Sequence, residues 1–234
     1  MLTRLVRKTT NDRSWPIPDL RFFFKVYLIY LIMEKIILIG GSPTAGKSYA
    51  ARKIAEELKL PWISTDAIRE QMRELVRKKD YPHLFWHSKA TSKMAVQFLT
   101  ENTVKEIVDM QNKESADVWK GVKALIETDY VWGSYIVEGV AIIPGLINKL
   151  VKKKNIKAVF LIDEDINRIR KTVFTRGLWD EAKKYPDSVK EKEVEWVIEF
   201  NRFIKKEAKR YGFPIVSVDR RDYIKKIKRI IYGD

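Results

Sequence analysis

The stretch KIILIGGSPTAGKS, residues 35–48, narrows the possible folds more than any other part of the chain. Its apolar run at 36–39 reads as a buried parallel strand. Gly41, Gly46, Lys47 and Ser48 then fit G-x-x-x-x-G-K-[ST], a loop pattern that binds phosphate. Residues 49–58 (YAARKIAEEL) follow with helical spacing, so strand, loop and helix come in the order the pattern needs. Glycines let the backbone take positive φ and approach an anion closely. Successive N–H groups form a concave nest, and the helix N-terminus adds partial positive charge. The run Gly41, Ser42, Pro43, Thr44, Ala45, Gly46, Lys47, Ser48 and Tyr49 is therefore the expected nucleotide-phosphate site. Lys47 supplies a point charge for the β and γ phosphates of ATP, and Ser48 a hydroxyl for Mg²⁺.

The rest of the composition suits a chain of this kind. With 234 residues, 45% hydrophobic and 33% charged, it is long enough for one α/β domain and is globular rather than disordered. There are no cysteines, which excludes disulfides and thiolate chemistry and fits a reducing cytoplasm. Heavy use of Lys, Glu and Arg points to a thermophilic source. The net charge of +15 suits anionic partners: nucleotides, phosphorylated metabolites or nucleic acid. Most basic residues sit at helical spacing among glutamates, the pattern of a solvated face.

Residues 1–33 stand apart from this plan. They are basic to position 13, then apolar over 20–33 (LRFFFKVYLIYLIM). That run is interrupted by Arg21 and Lys25 and is too short for a span of ~20 residues. Met33-Glu34-Lys35 reads as a natural start, which makes 1–33 an upstream extension or a loose arm. A membrane-surface anchor is the second reading, without stable insertion.

Beyond the first helix, LPWISTD (60–66) is a short strand ending in Asp66. A carboxylate there is either a helix N-cap or a ligand-side group at the C-terminal edge of a parallel sheet. Arg69 and Arg73, four apart, share one face of the helix that follows. Residues 90–110 and 115–128 read as two amphipathic helices, with Trp119 in the core, inside a helical insertion over about 67–130. His83 and His87 are also four apart, but no third ligand lies near them in sequence. The next strand, 133–139, ends in Glu138 and Gly139 and has the form of a Walker B carboxylate. Glu138 is placed to hold a Mg²⁺ water or take a proton from an acceptor hydroxyl. KAVFLID (157–163) is a fourth strand. Residues 165–193 form an arginine-rich segment with Arg168, Arg170 and Arg176, of the kind that closes over transferring phosphates. Its part from 180 to 193 reads as flexible. A helix over 196–211, a fifth strand at 214–219 and a basic helix at 223–232 close the chain.

The order of these parts resembles a small P-loop kinase, and more narrowly the archaeal 2-phosphoglycerate kinase group, over about residues 34–232. The resemblance rests on Gly40-Gly41-Ser42 with Gly46-Lys47-Ser48, on Ser64-Thr65-Asp66 with Ile68-Arg69, on Gln111 followed by Val118 and Gly121-Val122, and on Glu138-Gly139-Val140 with Pro144-Gly145. Ala141 and Asn167 stand where that group carries histidines. The resemblance implies a three-layer α/β sandwich with a mostly parallel five-stranded sheet, a helical substrate-binding insertion and an arginine-rich lid. It implies ATP and Mg²⁺. It also implies γ-phosphate transfer to a small anionic acceptor, 2-phosphoglycerate among the candidates. Lys47, Asp66, Glu138, Arg168, Arg170 and Arg176 would act in catalysis. Asp66, Arg69 and Arg73 would bind the acceptor. Ser48 would hold Mg²⁺ directly and Glu138 through water. The alternatives are a polynucleotide or nucleoside kinase, a nucleic-acid-binding ATPase, or a regulator that binds nucleotide without catalysis. A GTPase is disfavoured, since no N-K-x-D motif occurs.

Overall fold

The apolar run after Lys35 forms the central strand, and the rest of the molecule is layered on its two faces. The computed structural model describes residues 35–85, 92–128, 132–151, 155–177, 185–218 and 222–232. Residues 1–33, His87 and the whole of the 180–184 segment lie outside the described residues. The elements in chain order are β1 (Ile36–Gly41), α1 (Lys47–Leu58), β2 (Trp62–Ser64), α2 (Thr65–Leu75), a 3₁₀ turn (Pro82–Phe85), α3 (Ser92–Glu101) and α4 (Val104–Thr128). There follow β3 (Tyr135–Glu138), α5 (Pro144–Val151), β4 (Ile156–Ile162), α6 (Ile166–Thr175), α7 (Asp187–Tyr211), β5 (Ile215–Ser217) and α8 (Tyr223–Tyr232).

The five strands run β2-β3-β1-β4-β5, and every pairing is parallel. Alternate residues of β1 serve the two faces, as the pleat requires. Leu38 packs into a core with Val137, Phe160, Trp119 and Phe200. Ile37 and Ile39 pack the other way, with Ala50, Ile54, Val216 and Ile227. The result is the expected three-layer α/β sandwich, with α4, α5 and α7 on one face and α1 and α8 on the other. Both faces are covered, which is why β1 over 36–39 and β4 over 158–162 read as unbroken apolar runs.

The helix boundaries differ from the sequence reading in two places, and each has a local cause. The break between α3 and α4 falls at Asn102-Thr103 rather than at 111–114. Thr103 and Glu106 form a reciprocal cap there: the Thr103 N–H donates to Glu106 Oε2 at 2.8 Å, and the Glu106 N–H to Thr103 Oγ1 at 3.3 Å. The second difference is α7, which begins at Asp187, so 187–193 is helix rather than a flexible part of a lid. Its apolar stripe, Val189, Val194, Val197 and Phe200, is buried against the core, and that burial carries the helix past the polar residues that suggested flexibility. It ends on Gly212 at φ 72°. Among the described residues no helix is long and apolar enough to cross a membrane.

One buried group on α7 is conspicuous. Glu193 is fully buried, and neither carboxylate oxygen has a hydrogen-bond partner. Burial pushes its carboxyl up to about 7, with Lys190 opposing. In the unfolded chain a glutamate titrates near ~4.3. The folded state therefore holds the proton more tightly. The stability this group permits is full below the unfolded value and is lost as pH rises through 7. Glu193→Gln should flatten that loss. Urea unfolding of the variant is expected to match wild type near pH 5 and to exceed it by roughly 2 kcal/mol at pH 8. Parallel pH profiles for the two proteins would show that Glu193 is not neutral in the fold.

Candidate active site

A cavity of about 430 Å³ opens where the C-terminal ends of β1, β2 and β3 meet the start of α1. The turn after β1 shapes its floor. Gly41 takes φ 140°, and a Cβ there would collide with the Leu161 carbonyl of β4, so only glycine lets the turn lie against that strand. Gly46 caps α1 at φ 70° and Thr44 sits at φ 64°, a left-handed conformation uncommon outside glycine. The loop is tied down from behind. Ser42 Oγ donates to Asn201 Oδ1 of α7 at 2.7 Å, and the same oxygen accepts from the Asp163 N–H at 3.0 Å.

Lys47 is 8% exposed. Its ammonium donates to the Ser42 carbonyl at 2.6 Å. Burial lowers its pKa, with Glu138 and Asp66 acting to raise it and Arg176 to lower it further. Glu138 ends β3 opposite Ile39 of β1, and it is only 2% exposed. Its Oε1 accepts from Ser48 Oγ at 3.1 Å. Burial raises its pKa, opposed by Lys47, Ser48 and Ser64. A buried lysine, a serine hydroxyl and a carboxylate thus converge at the mouth of an amide-lined loop. These donors fit a nucleotide phosphate with Mg²⁺: the hydroxyl and carboxylate for the metal, the ammonium for phosphate oxygens.

Gly139, at φ 147°, leaves no room for a side chain against Thr65, which brings β3 close to the start of α2. Ser64, not Asp66, is the N-cap of α2, accepting from the Asp66 N–H at 3.2 Å. Asp66 is left to face the cavity together with Arg69 and Arg73. The two arginines are heavily engaged. Arg69 pairs with Asp66 at 3.0 Å and Glu70 at 3.1 Å. Arg73 donates to the Leu84 carbonyl at 2.5 Å, to Glu70 at 2.7 Å and to Glu114 at 2.9 Å.

Of the three lid arginines expected to act, the cavity holds one. Arg176, at the C-cap of α6, lines it beside Thr172. Arg168 does not. It forms two bonds to Asp163, at 2.8 and 2.5 Å, and its own N–H caps onto Asp165. Arg170 does not either; it is half exposed and pairs with Glu191 of α7 at 2.8 Å. Helical geometry separates only Arg170, which points away from the Thr172–Arg176 stripe; Arg168, four residues before Thr172, starts the same stripe and is held off the cavity by its bonds to Asp163. Ser42 and Ala45 are buried in the loop and do not line the cavity. Gln111, Glu114, Thr172 and Trp196 line it although the sequence reading gave them no such role. The Trp196 Nε1–H donates to Gln111 Oε1 at 2.8 Å, which joins α7 to α4 across the cavity wall. Trp119 is in the core, as expected. His83 faces Asp117 at 3.1 Å.

The fold has a counterpart among solved structures. A solved shikimate kinase from Acinetobacter baumannii, in complex with shikimate, superposes with a TM-score of 0.51 at 14% identity, covering 88% of this chain and 97% of its own. The chain has the P-loop kinase fold. It is 31% identical over 191 residues to a 2-phosphoglycerate kinase of Methanothermobacter thermautotrophicus, covering 78% of this chain and 60% of that one. It is 28% identical over 187 residues to the 2-phosphoglycerate kinase of Methanocaldococcus jannaschii, covering 78% and 58%. The chain therefore spans about 60% of the length of these curated relatives. No family model matches it.

The tie between loop and α7 can be tested directly. Asn201→Ala strands two buried donors, Ser42 Oγ and the Asp163 N–H. It should cost roughly 2 kcal/mol in chemical unfolding, more than Ser42→Ala, which removes the donor from one of those bonds. An Asn201→Ala protein as stable as wild type would show that the bridge does not hold the loop.

Proposed function

We propose that the chain is an ATP-dependent kinase that moves the γ-phosphate to a hydroxyl of a small anionic acceptor, of which 2-phosphoglycerate is the first candidate. One observation carries the reading. Asp66, Arg69 and Arg73 share a single bounded cavity with the phosphate loop, Glu138 and Arg176. A cavity of about 430 Å³ suits a phosphate chain and a small acid. The similarity to 2-phosphoglycerate kinases supports this choice of acceptor.

The roles follow from position and charge. The loop amides and Lys47 bind the β and γ phosphates. Ser48 and Glu138 would hold Mg²⁺, which neutralises phosphate charge when bound. Asp66, with an exposed carboxylate, orients the acceptor hydroxyl. Arg69, backed by Arg73, takes the acceptor's anionic group. Arg176 stands close enough to Lys47 to lower its pKa, and so is placed to meet charge developing on the transferred group. Arg168 and Arg170 have no part in this reading. Little covalent chemistry falls to the protein; positioning and fixed charge supply the rate.

Acceptor-stimulated ATP consumption tests the reading. The panel is 2-phosphoglycerate with other phosphorylated and carboxylated hydroxy acids. Arg176→Ala should lower kcat by ~10²–10³. Arg170→Ala should leave kcat within about twofold, because its partner Glu191 lies outside the cavity. No stimulation by any member of the panel, or equal effects of the two substitutions, would overturn it.

A further inference from the structure

The acceptor side of the cavity already contains an anion. Glu114 of α4 is 9% exposed and sits 2.9 Å from Arg73 and 3.9 Å from Arg69. It lines the same cavity as the phosphate loop. Among the described residues most carboxylates that pair with arginine are well exposed: the side chains of Asp66, Glu70 and Glu191 are 61%, 59% and 39% accessible, against 11% for Glu114, and only Asp163, outside this cavity, is more buried. A buried carboxylate therefore spans the two guanidinium groups that an anionic acceptor would need. We propose that Glu114 is a built-in competitor for the acceptor's phosphate or carboxylate, holding Arg69 and Arg73 in the empty site and giving them up, with uptake of one proton from solvent, when an anionic acceptor binds.

This rests on the kinase reading above for what the site is used for, but the competition is a property of the site alone. Glu114 has the charge environment to do it. The ionisable groups around it come from α2: Arg69 and Arg73 favour its charged form, Asp66 and Glu70 oppose it. Val140, Ala141, Gln111 and Trp196 of the wall do not titrate; the other charged groups of the cavity are Lys47, Glu138 and Arg176, on the phosphate-loop side. Burial is the largest influence and raises its pKa. A second anion at the same arginines adds like charge in a low-dielectric site and raises it further, which draws in the proton. The consequence is selectivity by charge. On the acceptor side Arg69 and Arg73 already face Asp66, Glu70 and Glu114, so loosely matched anions gain little there. An acceptor that makes bidentate bonds to Arg69 or Arg73 gains enough to neutralise Glu114.

The test is calorimetric, on the full chain, with 2-phosphoglycerate and inorganic phosphate as separate probes. Each is titrated at pH 5.5 and pH 7.5 in buffers of different ionisation enthalpy, so that proton uptake is read with affinity. Wild type is expected to take up a proton at pH 7.5 and to bind more tightly at pH 5.5. Glu114→Gln should bind at least tenfold more tightly at pH 7.5 and take up no extra proton. Glu114→Asp, which keeps the charge, should stay near wild type, and Glu70→Gln, at an exposed carboxylate, should change affinity far less than Glu114→Gln. Unchanged nucleotide affinity in each variant reports an intact fold. Equal or weaker binding by Glu114→Gln, absent proton uptake, or no binding of either probe to Glu114→Gln would overturn the proposal. Absence of ATP turnover with every acceptor would instead overturn the kinase reading and leave this comparison decisive for Glu114.

Discussion

A lysine ammonium held away from water is the constraint around which the site is arranged. Desolvation lowers the pKa of Lys47, and only nearby negative charge and hydrogen-bond acceptors keep a cation tolerable there. The Ser42 carbonyl lies at 2.6 Å. Glu138 is supplied by β3, the neighbour of β1, in a register that sets it opposite Ile39. Glu138 is itself buried and raised in pKa, so neither group is comfortable without the other. A polyphosphate would satisfy the same ammonium, which is what the proposed function asks of it.

That arrangement depends on backbone closeness more than on side-chain packing. Gly41 against Leu161 and Gly139 against Thr65 let β4 and α2 approach the loop with no Cβ between. Asn201 then fixes the loop from α7 and shares its oxygen with the end of β4, where Asp163 grips Arg168. Arg168 is thus a strut at the root of α6, and Arg176, two turns further on, is the arginine presented to the cavity. The large positive charge of the chain has little to do with this. Among the described residues several pairs, such as Lys53–Glu56, Lys123–Glu127 and Arg202–Glu199, are exposed and three or four residues apart on helices, and such pairs are worth little.

The sheet and the loop were legible because they are written in contiguous residues. Ile37 to Gly41 and Ala158 to Ile162 are buried on both faces and cannot be mistaken for amphipathic elements. Asp66, Arg69, Arg73 and Glu138 were legible for a related reason, since strand ends and one helix face point at the C-terminal edge of the sheet. Gln111, Glu114 and Trp196 were not, because they sit on 25-residue helices whose polar and apolar positions serve several neighbours at once. Their role is set by which helix faces which, information no local pattern holds. The α3–α4 break was readable in principle: Thr103 and Glu106 spell a capping box, but the apolar period runs across it. Choosing Arg176 over Arg168 and Arg170 required knowing that Asp163 and Glu191 were already waiting for the other two.

The central claim is that phosphate leaves the loop for an acceptor held by α2, rather than for water. The most direct measurement follows the label from γ-labelled ATP into products, with 2-phosphoglycerate present, in wild type and in Glu138→Gln. Label in a doubly phosphorylated acid, lost in the variant, is the expected result. Label found only in inorganic phosphate, whatever acceptor of the hydroxy-acid panel is supplied, would contradict it.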